Sequence, residues 1–285
     1  MATSLQGRTG SRLALNKPPV VIDLGRSSVK CGFAGDAHPT RIVPSVLADG
    51  AAGAQRTDRP QEDWQELLTG FLAGLYTDSL QCRPKERRVV LCEGMVSPRP
   101  LREAVAHVLF EYLQVPSLHL AAGPAPALYC TGLDTGLVVD VGSSEAHAIA
   151  VYGGLPLQHS YRVLPLGIRS VCARVRELVE LEEAAAGLTG ERALTGRELE
   201  EMVVRACLVP MGGVPSAAEV SPMEFLFAGH RRATAGGETR TRAADVLFDG
   251  GEDGDGRGLA HLLLDCLERC PLIARWAVAG HVLVI

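Results

Sequence analysis

The chain has 285 residues, 47% of them hydrophobic and 21% charged, with a net charge of −5. That balance is too apolar for a disordered chain and too acidic to suggest nucleic acid, and no apolar run approaches the ~20 residues of a membrane helix. The eight cysteines contain no C-x-x-C pair, so reduced, mostly buried thiols in a cytosolic protein are expected.

Residues 1–18 carry Arg8, Arg12 and Lys17 but no acid and no apolar h-region. They read as a disordered leader, with a transit peptide as the alternative. Val20-Val21-Ile22-Asp23-Leu24-Gly25 is a β-branched run ending in Asp-x-Gly, and a second strand-like run follows from Ser28 to Ala34. The pattern predicts a β-hairpin with glycine in its turn. Thr40 to Leu47 reads as a further strand and 48–60 as a polar loop. The spacing of Trp64, Leu67, Leu68, Phe71, Leu72 and Leu75 predicts a helix over 62–76. Arg87 to Cys92 reads as a buried strand. Ser97-Pro98 then opens a helix, Ser as cap, with its apolar stripe at Leu101, Val105, Val108, Leu109 and Tyr112. A strand at 117–120 and a helix at 124–131 lead to Leu137-Val138-Val139-Asp140-Val141-Gly142, which repeats the first hairpin and is followed by a strand from Glu145 to Tyr152. The alternation implies sheets with helices on their faces. The repeat suggests a duplicated α/β unit facing one cleft.

In the second half, 155–164 reads as a strand and 167–186 as a helix. A second helix spans 195–208, with Glu198 as the capping-box partner of Thr195. Residues 210–257, rich in Gly, Ala, Pro and charge, are expected to be a long flexible loop. A helix over 259–270 puts Cys266 and Cys270 on one face, and an apolar strand at 282–285 ends the sequence.

Glycine-bearing turns let a backbone approach polyphosphate, and an Asp from each half can hold a divalent cation. On that pattern alone, two ordinary turns are the simpler reading. Other chemistry is thinner. The acidic stretch Asp249 to Arg257 fails as an EF-hand loop, because Arg257 stands at a ligand position and no Glu closes it. Gly229-His230-Arg231-Arg232 reads as a surface turn. His147 and His159, on strand-like segments, read as core or pocket histidines. The motifs G-x-x-x-x-G-K-[ST], G-x-S-x-G and H-E-x-x-H do not occur, which removes the P-loop NTPase, serine-hydrolase and zincin routes.

The run Asp23-Leu-Gly25-Arg-Ser-Ser-Val-Lys30-Cys-Gly32-Phe33-Ala34-Gly35-Asp36, followed by Pro44-Ser45, resembles the first phosphate loop of actin and the actin-related proteins. Val89 to Glu111, with Glu93, Pro98, Arg102-Glu103 and Leu109-Phe110-Glu111, is similar to that family's strand and helix after its small outer subdomain. Gly136-Leu-Val-Val-Asp140-x-Gly142, with His147, Tyr152 and Gly154, resembles its second phosphate loop. The likeness covers 19–170 and, more weakly, 258–285. It implies an α/β, actin-like (ribonuclease H-like, duplicated) fold with two lobes around a nucleotide cleft. The lobes would span 19–135, with a shortened outer subdomain at 46–61, and 136–285. It also implies vestigial nucleotide-binding residues Asp23, Gly25, Lys30, Asp140 and Gly142, no metal site of the protein's own, and, in a full-length protein, ATP or ADP with Mg²⁺ as a structural ligand.

Within the family, Pro84 to Val90, Phe110 to Ser117 and Leu263 to Pro271 are most similar to the pointed-end subunit of dynactin, the adaptor of cytoplasmic dynein. That likeness implies a cytoplasmic, cytoskeletal protein whose partners are actin-like filament subunits and other pointed-end subunits, with dynein reached indirectly. Three positions depart from the active members. Arg26 replaces a phosphate-binding Ser, Ser143 replaces an Asp, and Gly123 stands where a glutamine orients the attacking water. A protein with no catalytic activity is therefore expected. Relatives continue beyond a strand like His281 to Ile285 into a Gly-Gly loop, so the second lobe is expected to be incomplete and to bind no nucleotide alone.

Overall fold

A computed structural model describes residues 3–6, 17–47, 60–94, 97–122, 124–185, 187, 193–209, 217–228, 232–250 and 256–285. Two units divide the chain, Met1–Cys130 and Thr131–Ile285.

In the first unit, period-2 alternation sets the strands. Strands β2 (Val20–Leu24), β3 (Ser28–Phe33) and β5 (Val89–Glu93) bury Val20 and Ile22, Val29 and Cys31, and Val89 and Leu91. With β1 (Thr3–Gln6), β4 (Arg41–Pro44) and β6 (Ser117–Ala122) they form one sheet in the order β1-β6-β5-β2-β3-β4. The pairs β2–β5 and β5–β6 are parallel and the others antiparallel. Helices α1 (Gln61–Gly74) and α2 (Arg99–His107) contribute Trp64, Leu68 and Leu72, and Leu101, Ala104 and Val105, to the same core, and the short helix α3 (Pro124–Tyr129) follows β6.

Four expectations change here. Thr3–Gln6 pairs with β6, so these residues are a strand and not a structureless leader; 7–16 lie outside the described residues, as do 48–59. The strand expected over 40–47 holds only 41–44. Ser97 does not cap α2: the N-cap position is Pro98, and the Ser97 hydroxyl donates to the Gly94 carbonyl. Tyr112, the last residue of the predicted stripe, is 69% exposed. It closes a π-helical turn, Val108–Tyr112, whose wider winding carries it out of phase with the stripe.

Helix α1 ends in the same way, through a π turn at Leu75–Ser79. In both, the next residue donates five positions back (Leu80 N to Leu75 O, Leu113 N to Val108 O), and a glutamine with positive φ follows, Gln81 at 49° and Gln114 at 56°. Glycine is the residue that adopts this region without strain. Gln114→Gly is expected to stabilise the protein by roughly 0.5–1 kcal/mol, the released strain exceeding glycine's extra unfolded-state entropy. Urea unfolding checks it, and a variant less stable than wild type would refute it.

In the second unit, β7 (Gly136–Val141) and β8 (Ala146–Tyr152) form the second hairpin, and β10 (Arg162–Leu164) pairs antiparallel with β8. Strand β13 (Val282–Val284) pairs parallel with β7, and the two-residue β9 (Leu155–Pro156) adds to β8. The order β10-β8-β7-β13 repeats β4-β3-β2-β5 in sequence and sense, which is the duplication the two Asp-x-Gly runs suggested. The strand expected over 155–164 is broken at Gln158–Ser160, a 3₁₀ turn held by buried Ser160. The Ser160 Oγ accepts from Ala150 N and donates to Leu157 O.

Helices α4 (Ile168–Ala185) and α5 (Gly196–Ala206) pack against each other, and the predicted Thr195–Glu198 capping box is present. Beyond them, 210–257 is not one flexible loop. Its described residues include a hairpin, β11 (Met223–Leu226) with β12 (Arg232–Ala235), and two short helices, α6 (Gly237–Arg242) and α7 (Val246–Asp249). Much of the packing here is done by small residues, Ala233, Ala235 and Ala243, beside Phe225, Phe227 and Leu247, and four-residue strands leave little periodicity to read. Residues 210–216, 229–231 and 251–255, which include most of the basic turn and the acidic stretch, lie outside the described residues. Helix α8 (Leu259–Glu268) buries Cys266, and α9 (Leu272–Ala279), not anticipated, buries Ala274 and Val278.

Candidate functional site

The five residues singled out as nucleotide-binding fall into two sets, one in each unit. In the first, Asp23 and Lys30 face each other in the β2–β3 register, and their side chains form an ion pair of 3.4 Å. Both side chains are about half exposed, so the pair contributes at most about 1 kcal/mol and does not hold Lys30 from an anion. A Cβ on Gly25 would lie 2.6 Å from the Ser28 carbonyl oxygen, so the turn closes only with glycine there. Ser45, from the Pro-Ser of the motif, donates its N–H to Ser27 O and so ties the end of β4 to this turn.

In the second unit, Asp140 is exposed and lies opposite His147 in the β7–β8 register. The turn closes through Gly142 N donating to Glu145 O at 3.0 Å. The sequence reading missed the residues that fix this turn from outside. Gly167 is one: a Cβ there would lie 2.5 Å from Gly142 O and 2.9 Å from Glu145 N. Helix α4 starts against the turn, Ile168 N donating to Gly142 O and Arg169 N to Ser143 O, at 3.0 and 2.8 Å. The carbonyls of Gly142 and Ser143 therefore already serve as acceptors for the first turn of α4. A lone glycine ahead of a helical stripe was the available signal for Gly167.

Tyr161 is the other missed residue. Its hydroxyl and His147 Nδ1 share a 2.7 Å hydrogen bond, the two rings stack, and His147 Nε2 lies 3.5 Å from a Glu145 carboxylate oxygen. Burial first, then the charges of Glu145 and Asp140, push the Tyr161 phenol up to about 12, so it stays protonated at neutral pH. His147 is thus a half-buried, partnered residue beside the loop. His159 is exposed on its 3₁₀ turn, and its assignment to core or pocket is corrected. Gly123, the position aligned with the water-orienting glutamine, lies outside the described residues.

The cysteines are all free thiols, with Cys31, Cys172, Cys266 and Cys270 buried and Cys130 exposed. Burial raises the thiols of Cys172, Cys207 and Cys266 to about 11, which makes them poor nucleophiles. No helix among the described residues is long and apolar enough to cross a membrane.

Comparison with known proteins agrees with this architecture. The family model for actin matches residues 62–186, a stretch that contains the second loop but not the first. Over 296 residues the chain is 26% identical to an actin-like protein of Neurospora crassa, covering 92% of this chain and 77% of that protein. Residues 62–186 thus match the actin family, in a mixed α/β chain whose fold is actin-like.

Proposed function

We propose that the protein is a non-catalytic actin-related subunit, equivalent to actin-related protein 10 of dynactin. In this role it terminates the pointed end of a short actin-like filament and scaffolds other pointed-end subunits for dynein-driven transport in the cytoplasm. The observation that carries this reading is the connection between β4 and α1, where only residues 45–60 separate Pro44 from Gln61. In actin, by the resemblance, the corresponding stretch builds a small outer subdomain and the loop that contacts the next subunit. A connection this short lacks room for that sheet and loop. A subunit so shaped docks onto a filament by its other face and offers little for another subunit to hold.

Arg26, Ser143 and Gly123 support the absence of turnover, since glycine has no side chain to orient an attacking water. Lys30 and the backbone at Gly25 and Gly142 would hold phosphates, and the Asp23 and Asp140 carboxylates suit Mg²⁺. ATP or ADP is then a structural ligand. The retention of these groups also favours a second reading, a working actin-related ATPase of the cytoskeleton or chromatin.

A turnover assay separates the two. The expected result is ATP hydrolysis at the buffer baseline, unchanged by Asp140→Ala; turnover comparable to actin and abolished by Asp140→Ala would establish the ATPase. Imaging the labelled protein on actin-like filaments should show it at one end only. Decoration along the sides would sink the capping role.

A further inference from the structure

We propose that Thr234 is a phosphorylation site for an arginine-directed serine/threonine kinase. Arg231-Arg232-Ala233-Thr234 places two guanidinium groups shortly before a hydroxyl, and kinases of this class grip such arginines through charge-assisted contacts with carboxylates. Other threonines also adjoin an arginine, and the structure separates them. Thr239 and Thr241 flank Arg240 but are 0% and 1% exposed. Their hydroxyls are committed, Thr239 Oγ1 donating to Glu182 and Thr241 Oγ1 to Gly237 O.

Thr234 lies instead on β12, whose backbone is already extended. Alternation along the strand buries Ala233 and Ala235 and turns Arg232 and Thr234 outward, both exposed. Among the described residues β12 pairs only with β11, so its other edge is open to an incoming strand. An outward hydroxyl, an exposed guanidinium on the same face and an extended strand paired along one edge only are what the proposed kinase would engage. In the transfer, Thr234 Oγ1 bonds to the γ-phosphorus of Mg-ATP while the bond from that phosphorus to the bridging oxygen breaks. The hydroxyl proton passes to the kinase's catalytic carboxylate, and ADP leaves.

The test uses the full chain under native conditions, with the catalytic subunit of cyclic-AMP-dependent protein kinase and Mg-ATP, read by peptide mass spectrometry. Phosphate is expected on Thr234, absent in Thr234→Ala and retained in Thr234→Ser, which guards against a folding artefact. Arg232→Ala should slow labelling about tenfold or more, the scale of one lost charge-assisted contact. Labelling that leaves Thr234 empty, or that reaches it only after unfolding in urea, would overturn the assignment.

Discussion

Gly167→Ala is expected to destabilise the second unit by roughly 2–4 kcal/mol, combining an overpacking cost with weakened hydrogen bonds. The added methyl would lie 2.5 Å from Gly142 O, 2.9 Å from Glu145 N and 2.9 Å from Ser143 C. All three are backbone atoms of one tight turn, so no side-chain rotation relieves the contact. Either α4 withdraws, loosening the bonds from Ile168 N and Arg169 N, or the β7–β8 turn opens. Both responses disturb the β7–β8 turn, so amide exchange should rise at 140–146 and at the start of α4. Gly70→Ala serves as the opposite control. Gly70 is exposed within α1 and nothing lies within 4 Å of its missing Cβ, so alanine should stabilise by about 0.5–1 kcal/mol. Far-UV circular dichroism in urea measures both. If Gly167→Ala unfolded at the wild-type midpoint, the close approach described here would be wrong.

What the sequence made legible follows from how local each signal is. The two hairpins could be read because β-branched runs and an Asp-x-Gly turn lie within a few residues of one another, and the Thr195–Glu198 box for the same reason. The end of the first helix, expected at 76, lies beyond a π turn at Leu75–Ser79, because Gln81, the residue with positive φ that follows, carries no left-handed preference to signal it. The hairpin at 223–235 escaped because alanines bury little area and so weigh little in a hydrophobic pattern. At the site, Asp23 and Lys30 are brought together by register, which a hairpin prediction contains. Gly167 and Tyr161 act on the second loop across tertiary contacts that no local window holds.

Glu182 shows that limit most clearly and carries a large expected effect. It lies on α4, yet its carboxylate accepts from Gly236 N at 2.8 Å, Thr239 N at 3.1 Å and Thr239 Oγ1 at 2.9 Å. It thereby supplies, from another helix, the N-terminal cap that α6 lacks from its own sequence, where Gly236 has no side chain to offer. Thr239 is fully buried, so removing the carboxylate strands a hydroxyl as well as two backbone donors. Hydrogen bonds to a charged acceptor contribute about 1.5–3 kcal/mol and a stranded buried donor costs about 1–3 kcal/mol; water entering at the half-buried Glu182 offsets part of this, so Glu182→Ala should cost roughly 3 kcal/mol. Glu182→Gln keeps one acceptor oxygen but turns an N–H₂ toward donors, and should cost about half as much. The loss should be local first, with amide exchange rising across α6 and the β11–β12 hairpin while β7 and β8 stay protected. A double-mutant cycle isolates the contact: Thr239→Val should cost far less in the Glu182→Ala background than in the wild type, because the hydroxyl it removes has already lost its partner. Equal costs in the two backgrounds would mean that Glu182 does not hold this segment.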